Sequence, residues 1–166
     1  SCEQPEVQLT ARTHENVFGI ERFTVCITAF TQGGQCSRQK SEDGKTVSQV
    51  FEKQLVPGGD ALALEKYVSV VTSRDHAPQQ LSSCGLDLLR EAVQAGMQTL
   101  EEEQRSVWAA RWQMCDVAIE GDDAAQQGIR FNLFQLLCTY DGSDARLNIG
   151  PKGFTGEKYG GAAYYD

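Results

Sequence analysis

The feature that most restricts this chain of 166 residues is a change of hydrophobic period at Ser73–Pro78. Before it, apolar residues recur at every second position. Val7, Leu9 and Ala11 alternate with polar neighbours; Phe23, Val25, Ile27 and Ala29 alternate with Arg22, Thr24, Cys26 and Thr28. A period of two sends alternate side chains to opposite faces of a strand. Val47–Leu55 is a weaker strand candidate, and Ala61–Thr72 reads as a long strand with β-branched and aromatic content. Gly33-Gly34, Asp43-Gly44 and Pro57-Gly58-Gly59-Asp60 supply the turns. The pattern predicts antiparallel, meander-like β structure. Four strands are too few to close a sandwich comfortably, so further strands are expected before Ser1.

Beyond His76-Ala77-Pro78 the spacing becomes helical. Leu81, Leu88, Leu89, Ala92 and Val93 mark one helix, Gly96 interrupts, and Leu100, Val107, Trp108, Ala110, Arg111 and Trp112 mark a second. Glu101-Glu102-Glu103 reads as a solvated first turn, favoured there by the helix dipole. Trp108 and Trp112 are four apart and share a face, which suits anchoring the helix on its neighbours better than stacking on a sugar. After a short extended piece at Val117-Ala118-Ile119, Gly121-Asp122-Asp123 opens the most apolar helix. Asp123 is the expected N-cap, with Gln126 three residues on as in a capping box. Ile129, Leu133, Leu136, Leu137 and Tyr140 follow, widened by Phe131 and Phe134, up to Asp141-Gly142. A helix apolar over so much of its circumference is expected to be buried between other helices. The sequence holds too few helices for that and is expected to be a piece of a longer protein.

The formal net charge of −8 argues against nucleic acid or an anionic membrane as a partner. No run approaches a membrane span, and no signal-peptide pattern is present, although the chain opens on Ser1. Cys2, Cys26, Cys36, Cys84, Cys115 and Cys138 are irregularly spaced, without CxxC. They read as free thiols in a cytoplasmic protein, with no Cys or His pair at metal-ligand spacing. His14 and His76 each stand alone and read as surface or structural residues.

The last twenty-one residues, Arg146 to Asp166, hold five of the sixteen glycines together with Phe154, Tyr159, Tyr164 and Tyr165. Such a segment is too aromatic for a solvated linker and suits an active-site loop whose site is completed elsewhere. A phosphate-binding loop of the nucleotide kind is excluded. Gly150 to Gly156 is one residue too long, and Glu157 stands where lysine should be. A GxSxG elbow is also absent. Glu120, Asp122, Asp123 and Glu157 fit caps or loop polar groups. Asp166 follows two aromatics, where a carboxylate can accept sugar hydroxyls while rings pack on the sugar face. Residue chemistry thus favours a carbohydrate role without fixing it.

The run Glu120–Leu136 resembles the first catalytic-domain helix of glycoside hydrolase family 65, and Arg146–Gly161 resembles the family's loop after that helix. Leu64–Val68 with Thr72–Asp75 resembles the last strand of the family's N-terminal β-sandwich. The resemblance is specific from about residue 61 onward and only compatible before it. It implies mixed β-then-α architecture. Residues 1–75 would end a β-sandwich, 76–116 would form a helical linker, and 117–166 would begin an (α/α)6 barrel with its active-site loop.

The resemblance also implies an inverting phosphorylase that cleaves an α-glucoside with inorganic phosphate as co-substrate and needs no other cofactor. The form Ile149–Phe154 favours maltose. Alternatives on the same scaffold are phosphorolysis of kojibiose, nigerose or trehalose, or hydrolysis; a non-catalytic carbohydrate-binding module is the alternative of another class. Tyr164 and Asp166 match residues that line the family's donor-glucose subsite, and Tyr165 stands where the family usually carries tryptophan. Lys152 and Glu157 match the loop and are expected to pair and shape it. The general acid and phosphate site are expected downstream of Asp166, so these residues alone are expected to be inactive, and the full-length protein is expected to form a homodimer.

Overall fold

The computed structural model describes residues 6–146 except Phe18, Gly34, Asp60 and Asp141. The chain divides into two compact units, Ser1–Glu102 and Glu103–Asp166.

Among its described residues the first unit contains five strands: β1 (Glu6–Arg12), β2 (Thr24–Gln32), β3 (Gln35–Lys40), β4 (Val47–Glu52) and β5 (Glu65–Thr72). All pairings are antiparallel. One sheet has the order β1-β2-β5, and β3 and β4 form a separate hairpin. The connection is therefore not a plain meander, because the chain makes the hairpin before β5 returns to pair with β2. The four strands expected from the sequence are present, two of them shorter than read: β4 ends at Glu52 and β5 begins at Glu65. The fifth, β3, carries almost no apolar signal; its pairing with β4 makes it a strand.

The two faces of the three-stranded sheet differ in chemistry. Register pairs Gln8 with Thr28 and Thr28 with Ser69, and it pairs Cys26 with Val71 and Phe30 with Tyr67. Cys26, Thr28, Tyr67, Ser69 and Val71 on this face are buried. The opposite face carries Val7, Leu9, Ile27 and Ala29, which gave the alternation, together with Val68 and Val70. Part of it faces an open groove shared with Val47 and Phe51 of the hairpin. Val68 and Val70 remain half exposed, at 50% and 56%.

A short 3-10 turn at Pro78–Gln80 leads into helix α1 (Leu81–Ala95), which lies on β2 and β5. Leu81 and Leu89 are buried; such burial contributes about 1.5–3 kcal/mol per side chain. Between them, Gly85 lets the helix backbone approach the sheet. A Cβ at this position would lie 2.8 Å from Thr28 Oγ1 and 3.5 Å from Val71 Cγ2. The close approach is tied by hydrogen bonds. Ser69 Oγ donates to Gly85 O at 2.7 Å, Gln8 Nε2 donates to Thr28 Oγ1 and Ser82 O at 2.9 Å each, and Ser82 Oγ donates to Gln8 Oε1 at 2.7 Å. The buried hydroxyls thus keep partners, without which each would cost about 1–3 kcal/mol.

Gly96 ends α1 with φ +81°, a conformation open to glycine, and its N–H donates to Ala92 O at 3.1 Å. Helix α2 (Met97–Cys115) follows at once. Because α2 starts at Met97, Glu101-Glu102-Glu103 stand just beyond its first turn, not in it as the sequence suggested; all three are exposed.

In the second unit, helix α3 spans Asp123–Thr139. Its N-cap is Asp122, one residue earlier than the expected Asp123. Asp122 is extended (φ −141°, ψ 93°), and its side chain accepts from Ala125 N at 2.9 Å. That is the third N–H of the first turn, the one a capping carboxylate reaches. No residue of α3 is buried, against the expected burial between helices. Phe131 and Leu136 are 61% and 63% exposed, since among the described residues of this unit α2 is the one neighbouring helix. Among the described residues no helix is long and apolar enough to cross a membrane.

Candidate functional site

The site-bearing segment expected from the sequence follows α3, so the geometry that launches it begins with α3 itself. Trp108 of α2 packs against Phe134, ring centroids 5.1 Å apart at 36°, and the Arg111 guanidinium carbon lies 5.3 Å from the Trp108 ring. These contacts combine apolar area with a cation over an indole face. Trp108 thus works as an anchor between helices, as its position on α2 suggested.

The joint between α2 and α3 is held by side chains of α3. Gln126 does not reach back to its own helix cap. Its Nε2 donates to Val117 O at 2.9 Å, and its Oε1 accepts from Ile119 N at 2.6 Å. One side-chain amide thereby satisfies a carbonyl and an N–H of the extended piece Val117–Ile119. Four residues on, Arg130 makes a two-pronged pair with Asp116: Nε donates to Oδ1 at 2.9 Å and Nη2 to Oδ2 at 2.6 Å. Hydrogen bonds from Arg130 hold the Asp116 carboxyl below the ordinary carboxylate range, against a smaller opposing effect of burial. A lowered folded-state pKa means that the pair is present above the ordinary aspartate range and is lost only as pH falls through the lowered value. Sequence reading noted Gln126 and the run containing Arg130 but not Asp116. A partner fourteen residues away, across a helix boundary, leaves no periodic signal.

At the other end of α3, Tyr140 N donates to Leu136 O at 3.1 Å and the Tyr140 hydroxyl donates to Asp144 O at 3.4 Å. The Asp144 carboxylate accepts from Arg146 N and Nε at 2.9 Å each, and from Nη2 at 2.7 Å. Arg146, the first residue of the glycine-rich stretch, is therefore pinned to the turn after the helix. Tyr164, Tyr165 and Asp166, the expected donor-sugar residues, lie outside the described residues, as do Lys152 and Glu157.

An open groove of about 780 Å³ runs along α3, lined by Asp123, Ala124, Gln127, Gly128, Phe131 and Phe134, among others. Besides apolar and amide groups it is lined by Arg130, which Asp116 already engages, and by Asp123, its one carboxylate among the described residues, so no carboxylic acid–carboxylate pair of described residues stands across it. That surface suits packing better than bond cleavage.

Residues 1–111 match the glycosyl hydrolase family 65 N-terminal domain, and residues 130–166 match the family's central catalytic domain. The chain belongs to glycosyl hydrolase family 65. It is 45% identical to a maltose phosphorylase of Bacillus subtilis over 95% of its length, which is 20% of that relative. It is 38% identical to an alpha,alpha-trehalose phosphorylase of Thermoanaerobacter brockii over 80% of this chain and 16% of the relative. A nigerose phosphorylase of Lachnoclostridium phytofermentans is 26% identical over 96% of this chain and 20% of the relative. The chain spans about a fifth of the length of these relatives.

Proposed function

We infer that the protein containing this chain is a disaccharide phosphorylase whose substrate is maltose. The carrying observation is the 45% identity to a maltose phosphorylase over 95% of the chain, set against 38% and 26% for relatives named for trehalose and nigerose. In this reading the first unit contributes the end of a β-sandwich, α1 and α2 contribute the linker, and α3 opens an (α/α)6 catalytic barrel. The full-length protein is a cytoplasmic homodimer.

The reaction inverts the anomeric centre. A phosphate oxygen forms a bond to C1 of the donor glucose as the C1–O bond to the second glucose breaks. A carboxylic acid gives its proton to the departing oxygen, and the products are glucose and β-glucose 1-phosphate. Phosphate is already an anion, so it takes the place of the activated water and its base in an inverting hydrolase. Acid and phosphate site both belong to residues outside this chain. Tyr164, Tyr165 and Asp166 hold the donor glucose: the rings cover its apolar face, and the carboxylate accepts from its hydroxyls. They orient the sugar without entering the bond exchange.

The full-length protein is expected to release β-glucose 1-phosphate from maltose only when phosphate is present, and at least tenfold faster in kcat/KM than from trehalose, kojibiose or nigerose. Release of glucose without phosphate would refute the phosphorylase reading in favour of hydrolysis. A different preferred disaccharide would move the substrate and leave the reaction in place. Sugar binding with no turnover would identify a binding module instead.

A further inference from the structure

We propose that Asp116, Gln126 and Arg130 form a positioning clasp that fixes the start of the catalytic domain relative to the end of α2, and so sets where the segment after α3 is presented to substrate. The importance of the joint follows from where the family matches fall. The N-terminal match stops at residue 111 and the catalytic match starts at residue 130, so residues 112–129 belong to neither. Arg130, the first residue of the catalytic match, reaches back into this interval to Asp116 in the two-pronged geometry above. Gln126 occupies both hydrogen-bonding groups of the joint backbone that its amide faces. Asp122 caps α3 from inside the same interval.

Two links along the backbone and one across it leave the joint little freedom to swing. A bidentate guanidinium–carboxylate pair adds direction as well as attraction, because both N–H···O contacts must align at once. The side chains of Arg130 and Asp116 are 51% and 35% exposed. Exposed pairs of this kind contribute little to global stability. Their value here lies in geometry, since displacement of reacting groups by about 1 Å can cost about a hundredfold in rate. The same three side chains are committed to the joint: both Asp116 oxygens, both Gln126 amide atoms, and Nε and Nη2 of Arg130 are engaged there.

This inference rests on the phosphorylase reading for its catalytic consequence, and the test separates the two. Arg130→Met, Asp116→Asn and the reversed pair Asp116→Arg/Arg130→Asp are made in the full-length protein. Amide exchange is followed at residues 116–122, melting temperature is recorded, and phosphorolysis of maltose is resolved into kcat and KM. Both single variants are expected to speed exchange at the joint at least tenfold and to lower kcat/KM about tenfold to a hundredfold, with the melting temperature nearly unchanged. The reversed pair is expected to recover most of both losses. Unchanged exchange in Arg130→Met overturns the clasp. Faster exchange with unchanged kcat/KM overturns its positioning role, and a fall in activity matched by a fall in melting temperature reduces it to ordinary stability. A wild-type protein that turns over no disaccharide with phosphate refutes the phosphorylase reading alone, and joint exchange then decides the clasp.

Discussion

Replacing Gly85 with alanine is expected to destabilise the first unit by about 2 kcal/mol, although alanine is the better helix former. Two effects oppose each other. Glycine to alanine inside a helix gains about 1 kcal/mol of propensity. The new Cβ would stand 2.8 Å from Thr28 Oγ1, closer than a carbon tolerates, and overpacking a tight core costs about 1–3 kcal/mol. Thr28 is fully buried and cannot swing aside. If its hydroxyl is displaced from Gln8 Nε2, a buried polar group loses its partner at about a further 1–3 kcal/mol. The clash therefore wins. Urea unfolding monitored by sheet and helix signals measures the loss, and the double variant Gly85→Ala/Thr28→Ala, which removes the struck oxygen, should regain part of it. A Gly85→Ala protein as stable as the wild type would show that the helix does not lie this close to the sheet.

The largest functional effect is expected at Asp166. In the full-length protein, Asp166→Ala should lower kcat/KM for maltose phosphorolysis about a thousandfold. The estimate comes from losing two hydrogen bonds between sugar hydroxyls and a carboxylate, each worth about 1.5–3 kcal/mol, with about 1.4 kcal/mol per factor of ten. Tyr165→Ala should act more weakly, about tenfold and mostly in KM, because a ring on the sugar face contributes by contact and not by charge. Tyr165→Trp should stay within about threefold of wild type, since an indole keeps the stacking surface. An Asp166→Ala protein within threefold of wild type would remove Asp166 from the donor pocket.

Much of the fold was readable, and the failures have specific causes. Alternation at Val7–Ala11 and Phe23–Ala29 located β1 and β2 because one face of the sheet is consistently apolar. The same alternation did not reveal which face α1 covers. The helix lies on Cys26, Thr28 and Ser69, and the contact depends on a glycine and a few hydrogen bonds, which carry no hydrophobic period. Strand β3 was missed for a related reason. Gln35–Lys40 is polar, and only its register with Val47–Glu52 makes it a strand. The turn joining the two was legible from Asp43-Gly44: Gly44 takes φ +67°, and Asp43 accepts from Ser41 Oγ at 2.6 Å and Lys45 N at 3.1 Å. The α3 cap was misplaced by one residue because Asp122 and Asp123 are chemically equal; the backbone bend at Asp122 chooses between them. Of the candidate site, the sequence carried the family, the structure adds the turn pinned at Asp144 and Arg146, and Tyr164, Tyr165 and Asp166 lie outside the described residues.

Cys26 is a built-in clock for the first unit. Its thiol is fully enclosed between the sheet and α1, whereas Cys36, Cys84, Cys115 and Cys138 are partly exposed. A thiol reagent reaches it only in molecules whose helix has lifted from the sheet, so its slow labelling counts those openings one at a time.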